Sequence, residues 1–235
     1  LLAGLGVIPV GLLVVLGVEA QRARIQSAPA YGPPLDLDGG DGPVVVWLGD
    51  STAAGVGVTR PADAVPSQAA SVSGIGQHIV SLAVSGARVG DVLHLQVPKI
   101  PAGAAVIVID VGANDVVHGA LVRTFRRQYD AVLAALPPKA RVVMLGVPDM
   151  GSPTRLAQPL RAVVGWRGRA FDRAVRDLAG HHHTAYVDIA GPTGPQFRRH
   201  PDRYFFGDHY HPNAAGYALW ARAVGPALRA AVPTG

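Results

Sequence analysis

A chain of 235 residues with 49% hydrophobic and 16% charged residues has the length and apolar content of one sizeable α/β domain, which excludes a disordered polymer. It contains no cysteine, so disulfides, zinc-thiolate centres and a cysteine nucleophile are excluded. The net charge of +5 is uneven, with residues 1–120 summing to −4 and residues 121–235 to +9, mostly from arginine; with no aromatic-basic interleaving or zinc-finger spacing beside it, nucleic acid is not an expected partner.

The stretch from Leu1 to Val18 carries no charge. As a helix it would span roughly 27 Å at 1.5 Å per residue, close to the ~30 Å hydrocarbon core of a bilayer. A helix apolar on every side has little to pack on in a domain this small. Residues 1–25 are therefore read as an uncleaved hydrophobic signal-anchor segment, giving the protein a membrane partner and an extracytoplasmic, cell-envelope or secreted location. Glu19, Arg22 and Arg24 follow the apolar run and, on the positive-inside rule alone, argue against export. Residues 26–43 are rich in Pro, Gly and Asp, a linker composition, and residues 44–235 are read as the folded domain.

Within that domain, the apolar runs Val44 to Leu48, Ile79 to Val84, Ala104 to Val111, Arg141 to Val147 and Thr184 to Ile189 read as strands. Helix-like segments alternate with them. Thr124 to Leu136 is amphipathic and stops at Pro137-Pro138, Leu160 to Ala179 opens after Pro159, and a last helix is expected from Pro212. About five buried strands with helical crossovers imply an α/β fold with a parallel sheet covered on both faces.

Parallel sheets place their ligands at the carboxyl ends of the strands. The first strand there runs into Gly49-Asp50-Ser51, a junction that can hold a hydroxyl out of the sheet. The second is followed by Gly86, the third by Gly112-Ala113-Asn114-Asp115, and a late loop carries Asp208-His209-Tyr210-His211-Pro212. In these segments Ser51 is the candidate nucleophile, His211 its general base and Asp208 the acid that fixes the imidazole tautomer. Asp208 and His211 are three residues apart, about one turn, so the carboxylate can sit beside its own histidine. The backbone N–H groups of Ser51 and Gly86 and the side-chain amide of Asn114 are the candidate oxyanion donors. Asp50 and Asp115 are read as structural neighbours.

Together, these four ordered segments resemble the blocks of the SGNH hydrolases, the GDSL esterases and lipases, and span residues 49 to 212. The resemblance implies a flavodoxin-like three-layer α/β/α fold and hydrolysis of carboxylic esters through a Ser-His-Asp triad and an acyl-enzyme, without metal or cofactor. It also implies acyl or acetyl ester substrates, with lipid or cell-envelope molecules favoured by the apolar N-terminal segment. One departure stands out. Many members carry an asparagine a few residues before the block-two glycine, where this chain has Ser81.

The competing reading is a non-catalytic ligand-binding module that keeps the pocket; it has no need of serine, base, acid and three donors together. His181-His182-His183 resembles a metal tract but falls at a helix end, where histidines suit the terminal carbonyls. Gly55-Val56-Gly57 lacks the Gly-Lys-Ser/Thr of a phosphate loop.

Overall fold

The computed structural model describes residues 36–37 and 42–232. Strand β2 (Val44–Gly49) lies between β3 (His78–Ser81) and β4 (Val106–Asp110), and β5 (Arg141–Leu145) and β6 (Ala185–Val187) continue beyond β4. These five strands pair in parallel, with Val45 opposite Ile79 on one side and Val106 on the other. In chain order they run second, first, third, fourth, fifth across the sheet, the flavodoxin-like order. A two-residue strand β1 (Asp36–Leu37), inside the stretch read as linker, adds an antiparallel edge beside β3.

Alternation along β2 divides the core. Val45 and Trp47 point to the face covered by α1 (Val65–Ser73) and the C-terminal helix (Ala214–Ala231), with Tyr217, Trp220 and Leu228 buried there. Val46 and Leu48 point to the other face, where Phe125, Tyr129 and Phe171 pack. The strands are apolar on both faces because both faces are covered, which explains the near-continuous hydrophobic runs.

On that second face, between β3 and β4, the chain makes the short helix α2 (Val89–Asp91); after β4 come α3 (Ala113–Val117) and α4 (Val122–Ala135), and after β5 comes α5 (Leu160–His181). Two further helices, α6 (Ala190–Arg199) and α7 (Pro201–Tyr204), precede the C-terminal helix, α8. The last helix begins later than the expected Pro212. Asn213 caps it, accepting from the N–H groups of Ala215 at 3.0 Å and Gly216 at 3.1 Å, so Pro212 stays outside.

The crossover after β2 runs outward to β3 and the next returns past β2 to β4, making the crevice between the ends of β2 and β4 the switch point where open α/β sheets bind ligands. Among the described residues no helix is long and apolar enough to cross a membrane. The expected anchor, residues 1–25, lies outside them, as does most of the linker.

Candidate active site

The carboxyl end of β2 is held from two sides. Gln96, buried, accepts from the Gly49 N–H at 2.8 Å and donates to the Gly49 carbonyl at 2.8 Å. The Asp50 N–H donates to the Asp110 carbonyl at 3.1 Å. Glycine is required at 49 because a Cβ there would collide with that same carbonyl. The chain then coils, with the Ala54 N–H on the Asp50 carbonyl at 3.0 Å and the Val56 N–H on the Ser51 carbonyl at 2.9 Å. Tyr217 donates its hydroxyl to the Val56 carbonyl at 2.5 Å, and Ser81 donates to the Ala53 carbonyl at 3.2 Å. Ser81, the departure from the family pattern, thus supports the loop that carries Ser51.

Ser51 meets the late loop across the crevice. His211 Nε2 lies 3.0 Å from Ser51 Oγ, and His211 Nδ1 lies 2.6 Å from Asp208 Oδ2. The other Asp208 oxygen accepts from the backbone N–H groups of Tyr210 at 3.1 Å and His211 at 3.0 Å, so one carboxylate orders both its own turn and the imidazole. This three-residue spacing works through a loop ahead of the helix cap. His209 takes a left-handed backbone, φ 57°, to let the chain reverse inside that turn. Burial raises the Asp208 carboxyl's affinity for protons, but the hydrogen bonds from the His211 side chain and backbone, its charge and the Tyr210 N–H outweigh it and hold the group below the ordinary carboxylate range. Arg155 Nη1 stands 3.8 Å from the same carboxylate.

Of the expected oxyanion donors, Asn114 lines the cavity together with Ser51 and His211. Its Nδ2 donates to the Ala87 carbonyl at 3.1 Å and to Asp50 Oδ2 at 3.3 Å. Gly86 does not line the cavity; it sits in an exposed turn with φ 84°, a left-handed conformation that favours glycine, while the space around its Cα is open. That turn is tied to the end of β2, two residues before Ser51, by the Val84 N–H, which donates to the Gly49 carbonyl at 3.1 Å.

Sequence reasoning passed over Asp110 and Thr52. Thr52 Oγ1 lies 3.0 Å from Asp50 Oδ1 and 2.8 Å from Asp110 Oδ2, and the Thr52 N–H also donates to Asp50 Oδ1 at 3.1 Å. Burial pushes the Asp50 carboxyl up; burial and the Asp50 charge push Asp110 up to about 8. Asp110 ends an apolar strand, and nothing in its sequence neighbours announces a partner 58 residues away. Asp115 accepts from the Val89 N–H at 3.1 Å, and burial raises it to about 6.

The cavity beside Ser51 is walled by Pro148, Met150, Phe197, Phe205 and Trp220, with Tyr210 at the histidine. Among the described residues no group of three His, Asp, Glu or Cys side chains is placed to hold a metal. In the histidine tract, His182 Nε2 pairs with Asp130 on α4 at 2.6 Å.

Ser51, His211 and Asp208 form one hydrogen-bonded line at the switch point of a flavodoxin-like sheet, an arrangement with the make-up of a hydrolase site. A GDSL-like lipase/acylhydrolase family model matches residues 47–219. The GDSL-like esterase of Mycobacterium tuberculosis is 33% identical over 98% of this chain and 81% of its own length. Among solved structures, phospholipase A1 from Streptomyces albidoflavus superposes with a TM-score of 0.62 at 22% identity, over 81% of this chain and 100% of that one. The lipase/acylhydrolase from Enterococcus faecalis gives 0.64 at 16%, over 82% and 98%. This chain belongs to the GDSL-like lipase/acylhydrolase family and is an enzyme of the esterase and lipase kind.

Proposed function

We propose that the protein is a metal-independent serine ester hydrolase that works through an acyl-enzyme. The observation that carries this is the continuous relay from Ser51 Oγ to His211 Nε2 at 3.0 Å and from His211 Nδ1 to Asp208 at 2.6 Å. His211 takes the proton as Ser51 Oγ attacks the ester carbonyl, and Asp208, kept ionised, stabilises the imidazolium that forms. The carbonyl oxygen becomes negative and is met by the Ser51 N–H and by Asn114, whose longer bond to Asp50 is the one it can release. His211 returns the proton to the leaving alcohol, the C–O bond to it breaks, and the acyl group stays on Ser51. Water then attacks the acyl-enzyme with His211 again as base, freeing the acid and restoring the serine.

For the substrate, an acyl or acetyl ester of a lipid or cell-envelope molecule is supported by the apolar wall of the cavity and by the kinds of enzyme this chain resembles. The uncharged stretch from Leu1 to Val18 supports an enzyme held at a membrane; co-flotation of the full chain with lipid vesicles, lost on removal of residues 1–25, tests that. Hydrolysis of p-nitrophenyl acyl esters by the wild type and by S51A tests the chemistry. A fall in kcat of about 10⁶-fold is expected, the scale of losing a triad serine. Undiminished turnover by S51A would end the proposal.

A further inference from the structure

The hydroxyl between the two buried acids poses a counting problem. Thr52 Oγ1 is within hydrogen-bond distance of both Asp50 and Asp110, at 3.0 and 2.8 Å, and those residues are 2% and 4% exposed. A hydroxyl has one proton to donate and lone pairs to accept with. If both carboxyls were ionised, one would face an oxygen lone pair in a medium where an unpaired charge is costly. A second proton resolves the conflict by letting one acid donate to Thr52 while Thr52 donates to the other.

We propose that Asp110 is that neutral acid and a positioning residue: its O–H donates to Thr52 Oγ1, Thr52 donates to Asp50, and Asp50 remains the charged partner that orients Asn114 beside Ser51. The direction follows from the donors. Burial pushes Asp50 up as well, but Asp50 also accepts from the Thr52 N–H and from Asn114 and lies within the field of His211, three influences that favour its charge and that Asp110 lacks. Asp110 meets the Thr52 hydroxyl, while burial and the Asp50 charge oppose its ionisation and place its titration near about 8. The groups that face it are Asp50 at the end of β2, Tyr129 on α4 and Tyr217 on α8, with Asp115 on α3 acting on Asp50 and Tyr129; burial keeps both phenols neutral.

The consequence reaches the oxyanion donors, and this part rests on the hydrolase reading above. When Asp110 ionises it competes for the Thr52 proton. Asp50 then pulls harder on the Asn114 N–H that the oxyanion needs, and a second negative charge sits near the developing one. Turnover falls while substrate binding is little changed.

Infrared spectra of the full chain near neutral pH, wild type against D110N, test the protonation. A carbonyl stretch of a protonated carboxylic acid is expected in the wild type, lost as pH rises through about 8 and absent in D110N; in D50N, which removes the charge that opposes Asp110's ionisation, it should be lost at lower pH. In T52V, which removes the acceptor, the band should move to the position of an unbonded acid. In turnover of p-nitrophenyl acetate the wild-type kcat should fall roughly tenfold as Asp110 ionises, less than for loss of a whole oxyanion donor, at near-constant KM. D110N, whose amide can still donate to Thr52, should lack that limb. The proposal is overturned by a band missing in the wild type, by one that survives D110N, by one lost at the same pH in D50N as in the wild type, by one unmoved in T52V, or by equal alkaline limbs. If S51A retains hydrolysis, the esterase reading falls, but the infrared result still decides the protonation.

Discussion

Asp208 and Asp110 lie at two ends of one site and are held in opposite states. The Asp208 side chain is 6% exposed and Asp110 is 4% exposed, so desolvation pushes both toward the neutral acid. The difference lies in the donors. Asp208 accepts from two backbone N–H groups and an imidazole, with Arg155 nearby, and stays ionised. Asp110 shares one hydroxyl with a second carboxylate and takes a proton. Burial sets the cost of a charge, and the number of donors aimed at it decides whether the charge survives.

The largest effect that would break this contrast is at Asp208. D208N should lower kcat about 10⁴-fold, because an amide no longer fixes the histidine tautomer. D110N, which mimics the neutral acid, should cost far less, and equal losses would erase the distinction. N114A comes next, with a fall of ~10²–10³ in kcat at near-constant KM, measured with the same esters.

Stability against pH sharpens the comparison with smaller effects. The folded Asp208 has its proton affinity lowered, so its stabilisation is present above the unfolded value of about 4 and is lost as pH falls through the lower folded value. The gap in urea midpoint between wild type and D208N should therefore narrow in acid. Asp110 has its proton affinity raised, so its contribution is full below about 4 and is lost as pH rises toward about 8. D110N should gain on the wild type across that interval, by at most about 1.4 kcal/mol per pH unit for one group. Parallel slopes for the two variants would contradict the assignment of charges.

Much of this architecture was legible in the chain. The five parallel strands announce themselves because covered faces demand continuous apolar runs, as in Val106 to Asp110, where every residue is buried. Strand β1 is two residues long amid Pro, Gly and Asp, too short for any alternation to register. The last helix starts after Asn213 because a cap that satisfies two N–H groups outweighs the preference of proline for a first turn. In the site, Ser51, Asn114, Asp208 and His211 stand in short local motifs beside strand ends and helix starts. Asp110 does not, since its meaning arises only when β2 and β4 are side by side and Thr52 comes between their acids.

Ser51, activated by His211 and Asp208, is the proposed nucleophile on which the whole site turns. An activated alkyl phosphonate, applied to the full chain and followed by intact mass and peptide mapping, tests it most directly. One equivalent should attach, at Ser51, with none in S51A and a rate reduced by orders of magnitude in H211A. Modification at another residue, or hydrolysis that persists in the fully labelled protein, would contradict it.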